Sequence, residues 1–140
     1  MKEIMNWEIC EKEHSKKVRV DKDKINSIIK VVNARLKAMS QVKVDNETAT
    51  VQVTDYYEVI KELLTALLLK HGMKSDNHEC LISFFKKYYS YEYETNLMHG
   101  LKDLRNRASY EGLFIKKDYL DKNELEFRHI IGLLKKLINE

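Results

Sequence analysis

Apolar residues fall into helical stripes along most of the chain. From Asp21, Ile25, Ile28, Ile29, Val32, Leu36 and Met39 recur at three- and four-residue steps and would line one face of a helix ending near Ser40. Between Val42 and Val53 the period drops to two, with Val42 and Val44 ahead of Asp45-Asn46-Glu47 and Val51 and Val53 behind it. That alternation predicts a short β-hairpin around an Asp-Asn turn, with an ordered loop as the alternative. Helical spacing resumes after Thr54 or Asp55, either of which can cap a helix start. Tyr56, Ile60, Leu63, Leu64 and Leu67 form one face of this helix, and Val59, Ala66 and Leu68 widen it almost to the full circumference. A helix so apolar belongs at the centre of a bundle. It should stop at His71-Gly72, where glycine can take the left-handed conformation that closes a helix.

Asp76 and Glu79, three residues apart, read as a capping box that opens a helix with Leu81, Phe84, Phe85 and Tyr88 inward. Leu97, Leu101, Leu104 and Ala108 mark a further helix closed by Gly112. A final helix is expected from about Asp121, with Phe127, Ile130, Ile131, Leu134, Leu137 and Ile138 on its buried stripe. Residues 1–20 carry Trp7, Ile9 and a charged stretch from Glu11 to Lys17 with weak periodicity, and read as an N-terminal extension to a bundle over 21–140. The short connections favour up-and-down neighbours. The expected fold is therefore all-α: an up-and-down bundle of four to five helices, with a short β-hairpin between the first two.

Composition supports one helical domain. There are 140 residues, 44% of them apolar, no proline and only four glycines. Charge is plentiful but nearly balanced, 25 basic against 22 acidic residues for a net +3, short of the strongly basic signature of many nucleic-acid binders. Cys10 and Cys80 occur without a leading apolar signal segment, which points to free thiols in a reducing cytoplasm. The longest apolar run, Leu63 to Leu69 interrupted by Thr65, is far short of the ~20 residues of a membrane helix.

Several chemistries lack their signatures. No Gly-rich phosphate loop, nucleophile elbow or Cys-x-x-Cys is present, and His14, His71 and His129 show no metal-ligand spacing, so neither cofactor nor metal is expected. Lysine pairs such as Lys86-Lys87 and Lys135-Lys136 read as solvated faces that could edge a nucleic-acid cleft. Phe84, Phe85 and Tyr88 read as packing residues, and His78, inside the capping box, as a structural histidine. His99, Asn106 and Tyr110 fall within roughly 40° of one another at 100° per residue, on a ridge opposite the Leu97-Leu101-Leu104-Ala108 stripe.

From Tyr56 to the C-terminus the chain resembles the HEPN domain family of prokaryotic, archaeal-type helical proteins. The resemblance runs through Tyr56-Tyr57 opening a long helix that ends Ala66-Leu67-Leu68-Leu69, then Gly72-Met73-Lys74-Ser75, then Asn77-His78-Glu79. Its most telling piece is Leu104-Arg105-Asn106-Arg107-Ala108-Ser109-Tyr110-Glu111-Gly112, which is similar to the Arg-Asn signature helix. The resemblance implies a four- or five-helix bundle that forms a two-fold homodimer, with the signature helices facing a shared cleft. It also implies a toxin–antitoxin or defence component that binds RNA or cuts it without metal, often partnered by a small nucleotidyltransferase.

On that resemblance the site residues are Arg105, Asn106 and Tyr110, with His99 as a secondary candidate. Arginine suits phosphate because its guanidinium can donate two parallel hydrogen bonds. The family's proton-transfer histidine is replaced here by Tyr110, and a phenol with a pKa near 10 is a poor base beside imidazole. Some family toxins are silenced by nucleotide transfer to a tyrosine two residues beyond that histidine, a position occupied here by Gly112. Two principal readings follow, an RNA-binding endoribonuclease-like dimer and a non-catalytic helical module that dimerises and partners a nucleotidyltransferase. A helical adaptor without a nucleic-acid role is the third.

Overall fold

The computed structural model describes residues 3–140. Its elements are α1 (Trp7–Glu13), β1 (Ser15–Lys17), α2 (Lys22–Ser40), α3 (Ala49–Lys70), β2 (Met73–Ser75), α4 (His78–Tyr88), α5 (Glu92–Glu111) and α6 (Lys117–Asn139). The apolar girth of α3 organises them: Tyr56, Val59, Ile60, Leu63, Leu64, Ala66, Leu67 and Leu68 are all buried, and α2, α4, α5 and α6 each pack on this helix. Burying a Leu or Ile side chain contributes roughly 1.5–3 kcal/mol, so covering α3 on most of its sides is strongly stabilising. The stripe expected on α6, from Phe127 to Ile138, is buried throughout. On α2, Ile25, Val32 and Met39 are buried, with Ile28, Ile29 and Leu36 half-buried beside them.

The all-α bundle carries a small antiparallel two-stranded element, but not where the alternating valines placed it. Residues 42–53 form no hairpin. Asp45 accepts hydrogen bonds from the backbone N–H groups of Glu47 (2.9 Å) and Thr48 (3.0 Å), while the Thr48 hydroxyl donates to the Lys43 carbonyl (2.8 Å). This side-chain-closed turn feeds directly into α3, so Val51 and Val53 are helical and the helix begins well before Thr54 and Asp55. The same turn reaches across the bundle: Asn46 Oδ1 accepts from the Lys117 N–H (3.0 Å), and Thr50 Oγ1 from that of Ile115 (2.8 Å). These bonds help α6 to start at Lys117, ahead of the expected Asp121.

The actual strands lie far apart in sequence. β1 pairs antiparallel with β2, with Ser15 opposite Ser75 and Lys17 opposite Met73, and the Val18 N–H extends the ladder to the Gly72 carbonyl (2.8 Å). Gly72 itself has φ +75°, and a Cβ there would sit 3.3 Å from the Val18 carbonyl oxygen, so glycine meets both a turn and a close approach.

The N-terminal segment thus has a definite place. Trp7 is buried edge-to-face against Phe84 and Tyr88, the Ser83 hydroxyl donates to the Met5 carbonyl (2.6 Å), and Cys10 is joined to Cys80. The expectation of free thiols is corrected: both cysteines are consumed in a buried disulfide, and the cysteines no longer argue for a reducing compartment. Spacing within α1 or α4 could not show this, because the two cysteines meet only when α1 lies along α4. No helix among the described residues is long and apolar enough to cross a membrane.

The bridge spans a sequence separation of 70 residues. In the chain-entropy view, opening a loop of this length costs about 4 kcal/mol of stability. A Cys10→Ser/Cys80→Ser variant, or the wild type in reductant, should therefore unfold at lower urea concentration; an unchanged midpoint would show that the cross-link contributes nothing.

Candidate functional site

Lys102, Arg105, Asn106 and Tyr110 stand at three- and four-residue steps and share one face of α5. Opposite them lie Asp76, Asn77, His78 and Glu79 at the start of α4, and the two walls enclose an open cleft of about 480 Å³. Asn77 caps α4 by accepting from the Cys80 N–H (3.2 Å), so Asn77 rather than Asp76 performs the capping role. His78 is consequently the first residue of the helix and is exposed at the cleft, while Glu79 faces Lys102 (3.9 Å). The disulfide begins two residues beyond His78 and holds this wall to α1.

Helix α3 supplies the floor. The Arg105 guanidinium lies over the Tyr57 ring, 5.7 Å from its centroid, and its Nη2 donates to Glu58 Oε1 (3.4 Å). Its Nη1 donates to Asn106 Oδ1 (3.3 Å). Glu58 also binds Lys61 (2.7 Å) and so is shared between two cations. Burial alone would raise the Glu58 carboxyl pKa, but the hydrogen bond and charge of Lys61, with Arg105 and Arg35, outweigh it and hold the group below the usual carboxylate range. Burial pushes the Tyr57 phenol up to about 12, so it keeps its proton at neutral pH.

His78 rests on the same Tyr57 ring, with ring centroids 6.4 Å apart. Its pKa is lowered, first by burial and then by the positive charges of Lys61, Arg105 and Lys102, against an opposing pull from Glu58. The imidazole is therefore neutral at neutral pH and able to accept a proton. His78, expected to be structural from its place beside the helix cap, is thus an exposed residue of the cleft wall. No local signal could have placed it with Arg105, since the two meet only where the start of α4 lies beside the second half of α5.

No family model, curated protein or solved structure matches this chain. Arg105, Asn106 and Tyr110 do come together, and Tyr110 projects with 79% of its surface exposed. His99 does not join them: it is only 5% exposed, because α5 passes inward at that point, and the expected His99–Asn106–Tyr110 ridge is split. Elsewhere, His71 Nε2 bonds the Tyr89 hydroxyl (2.8 Å) and His129 faces Glu94 (3.8 Å). No cluster of three metal-ligating side chains occurs among the described residues. Between α2, α3 and α6 a second cavity of about 430 Å³ contains Tyr56, but its hydroxyl already donates to Glu124 (2.9 Å) and accepts from Arg128 Nε (3.3 Å).

The His78 Cε1 proton, followed by NMR across pH, reports the charges around the ring. The midpoint should lie below 6.5 in the wild type, move up in Arg105→Ala, where a cation is lost, and move down in Glu58→Gln, where the opposing carboxylate is lost. A midpoint unmoved by either change would contradict that arrangement of charges.

Proposed function

We propose that this chain is a HEPN-type protein whose α4–α5 cleft receives the phosphate backbone of single-stranded RNA, as an endoribonuclease-like component of a toxin–antitoxin or defence system. The observation that carries this reading is the mounting of Arg105. Glu58 and the Tyr57 face hold its guanidinium from the α3 side, yet the residue still lines an open cleft with Asn106, Tyr110 and Lys102. A guanidinium held in this way loses less freedom on gripping a phosphate than a free surface arginine would. Asn106 and the exposed Tyr110 are placed to orient the sugar or stack on a base.

The cleft is not a simple basic patch. Glu79 faces Lys102 and Asp76 lies on the same rim, so entering phosphates must displace carboxylates from the cations. Binding should be modest and strongly salt-dependent. Mixed single-stranded RNA incubated with the protein in chelator should be bound and cut, and Arg105→Ala should lose both with its helical content intact. Loss of one charge-assisted phosphate contact, about 1.5–3 kcal/mol, corresponds to weakening of roughly 10- to 100-fold. Wild-type protein that neither binds nor cuts RNA at moderate salt would reject the reading. Glu79→Gln should act in the opposite direction and tighten RNA binding in a filter or anisotropy assay.

A second reading, a non-catalytic module that dimerises and partners a nucleotidyltransferase, draws on a different feature. Tyr110 on the last turn of α5 and Phe114 in the connection that follows are 79% and 58% exposed, more than packing within one copy requires. In that reading these side chains lie in a two-fold homodimer interface rather than against RNA.

A further inference from the structure

We propose that His78, rather than Tyr110, is the proton-transfer group of the α4–α5 cleft, taking the proton of an RNA 2′-hydroxyl while Arg105 holds the adjacent phosphate. The inference rests on the RNA reading of the cleft and adds to it the group that the signature helix lacks. His78 and Arg105 come from different helices but are mounted on one support: the imidazole lies against the Tyr57 ring (6.4 Å) and the guanidinium over it (5.7 Å). Both line the same cleft with Asn106 and Tyr110. A cation and a base converging from two walls are what metal-free cleavage of a phosphodiester by its own 2′-hydroxyl requires.

The other candidates in reach fail on chemistry. Tyr57 is held protonated by burial, and Tyr110 projects into solvent from the last turn of α5, away from the Tyr57 support that His78 and Arg105 share. Asp76 and Glu79 carry carboxylates, a class of group intrinsically less basic than imidazole. The groups facing His78 are Tyr57, Glu58 and Lys61 from α3, Lys102 and Arg105 from α5, and Asp76 and Glu79 beside it in sequence. The three cations favour the neutral imidazole, which is the form a base must have. The step balances without a co-reactant. The 2′-hydroxyl proton passes to a ring nitrogen of His78, the 2′-oxygen bonds to phosphorus, and the P–O5′ bond breaks. The departing 5′-oxygen takes a proton from water and the imidazolium returns one to it. The products are a 2′,3′-cyclic phosphate and a 5′-hydroxyl.

The test uses the full chain in chelator with end-labelled single-stranded RNA over pH 4.5–9, comparing wild type, His78→Gln and Tyr110→Phe, with RNA affinity measured in parallel. Wild-type cleavage should rise with pH through a midpoint below 6.5 to a plateau and leave cyclic-phosphate ends. His78→Gln should bind RNA as before but cut about 100-fold or more slowly. Tyr110→Phe should keep the same acid limb whatever its absolute rate. As a measurement independent of the variants, the His78 Cε1 titration in wild type should move to higher pH when uncleavable 2′-O-methyl RNA occupies the cleft. An unchanged acid limb in His78→Gln, or a titration that ignores the bound RNA, overturns the role of His78 while leaving Arg105-dependent RNA binding standing. RNA bound through Arg105 but never cut also overturns it. Absence of binding and cleavage alike removes the underlying RNA reading as well.

Discussion

Everything in this fold answers to α3. A 22-residue helix that is apolar almost all the way round can be stable in water only if other helices cover it, and α2, α4, α5 and α6 do so. The cover is incomplete along one strip, where Thr54, Asp55, Glu58, Lys61, Glu62 and Thr65 recur at helical spacing and are half-buried. Charges on such a strip gain from partners, and two of its carboxylates find arginines from two sides. Arg35 of α2 binds Glu62 (2.8 Å), and Arg105 of α5 binds Glu58 (3.4 Å). The candidate site grows from this strip, because Glu58 and the neighbouring Tyr57 ring together hold Arg105 at the floor of the cleft.

That arrangement sets the character of the cleft. Arg105 is restrained by an ion pair and an aromatic face, each a modest contribution at partial exposure, so its restraint matters more for geometry than for stability. The carboxylates of Asp76, Glu58 and Glu79 offset Lys61, Lys102 and Arg105, leaving a polar groove of little net charge whose histidine stays neutral. The opposite wall is fixed by a separate device. Asn77 caps α4, and the Cys10–Cys80 bridge with Trp7 and the β1–β2 pairing binds α4 and the turn before it to the N-terminal segment.

Much of this was legible in the residues themselves. The stripes on α2, α3 and α6 identified their buried faces, Gly72 and Gly112 closed α3 and α5 in left-handed conformations, and of the ridge expected on α5 Asn106 and Tyr110 stayed together at the surface while His99 did not. Around residues 42–53 one short-range pattern suits two structures. Valines at alternate positions around Asp45-Asn46 suit a hairpin, but Asp45 and Thr48 satisfied the backbone of a helix start instead, and the longer apolar helix won.

What the sequence by itself determined is which side chains had to be buried, and hence a helical bundle around one very apolar helix. Hydrophobic periodicity is a local property and survives in any packing that hides the stripe. Tertiary structure alone decided which distant residues meet: Cys10 with Cys80, β1 with β2, and His78 with Arg105 across Tyr57. It also decided that His99 sinks into the bundle while Tyr110 remains in solvent. Those pairings depend on which helix ends come together, and no single segment's pattern of apolar and polar residues carries that information.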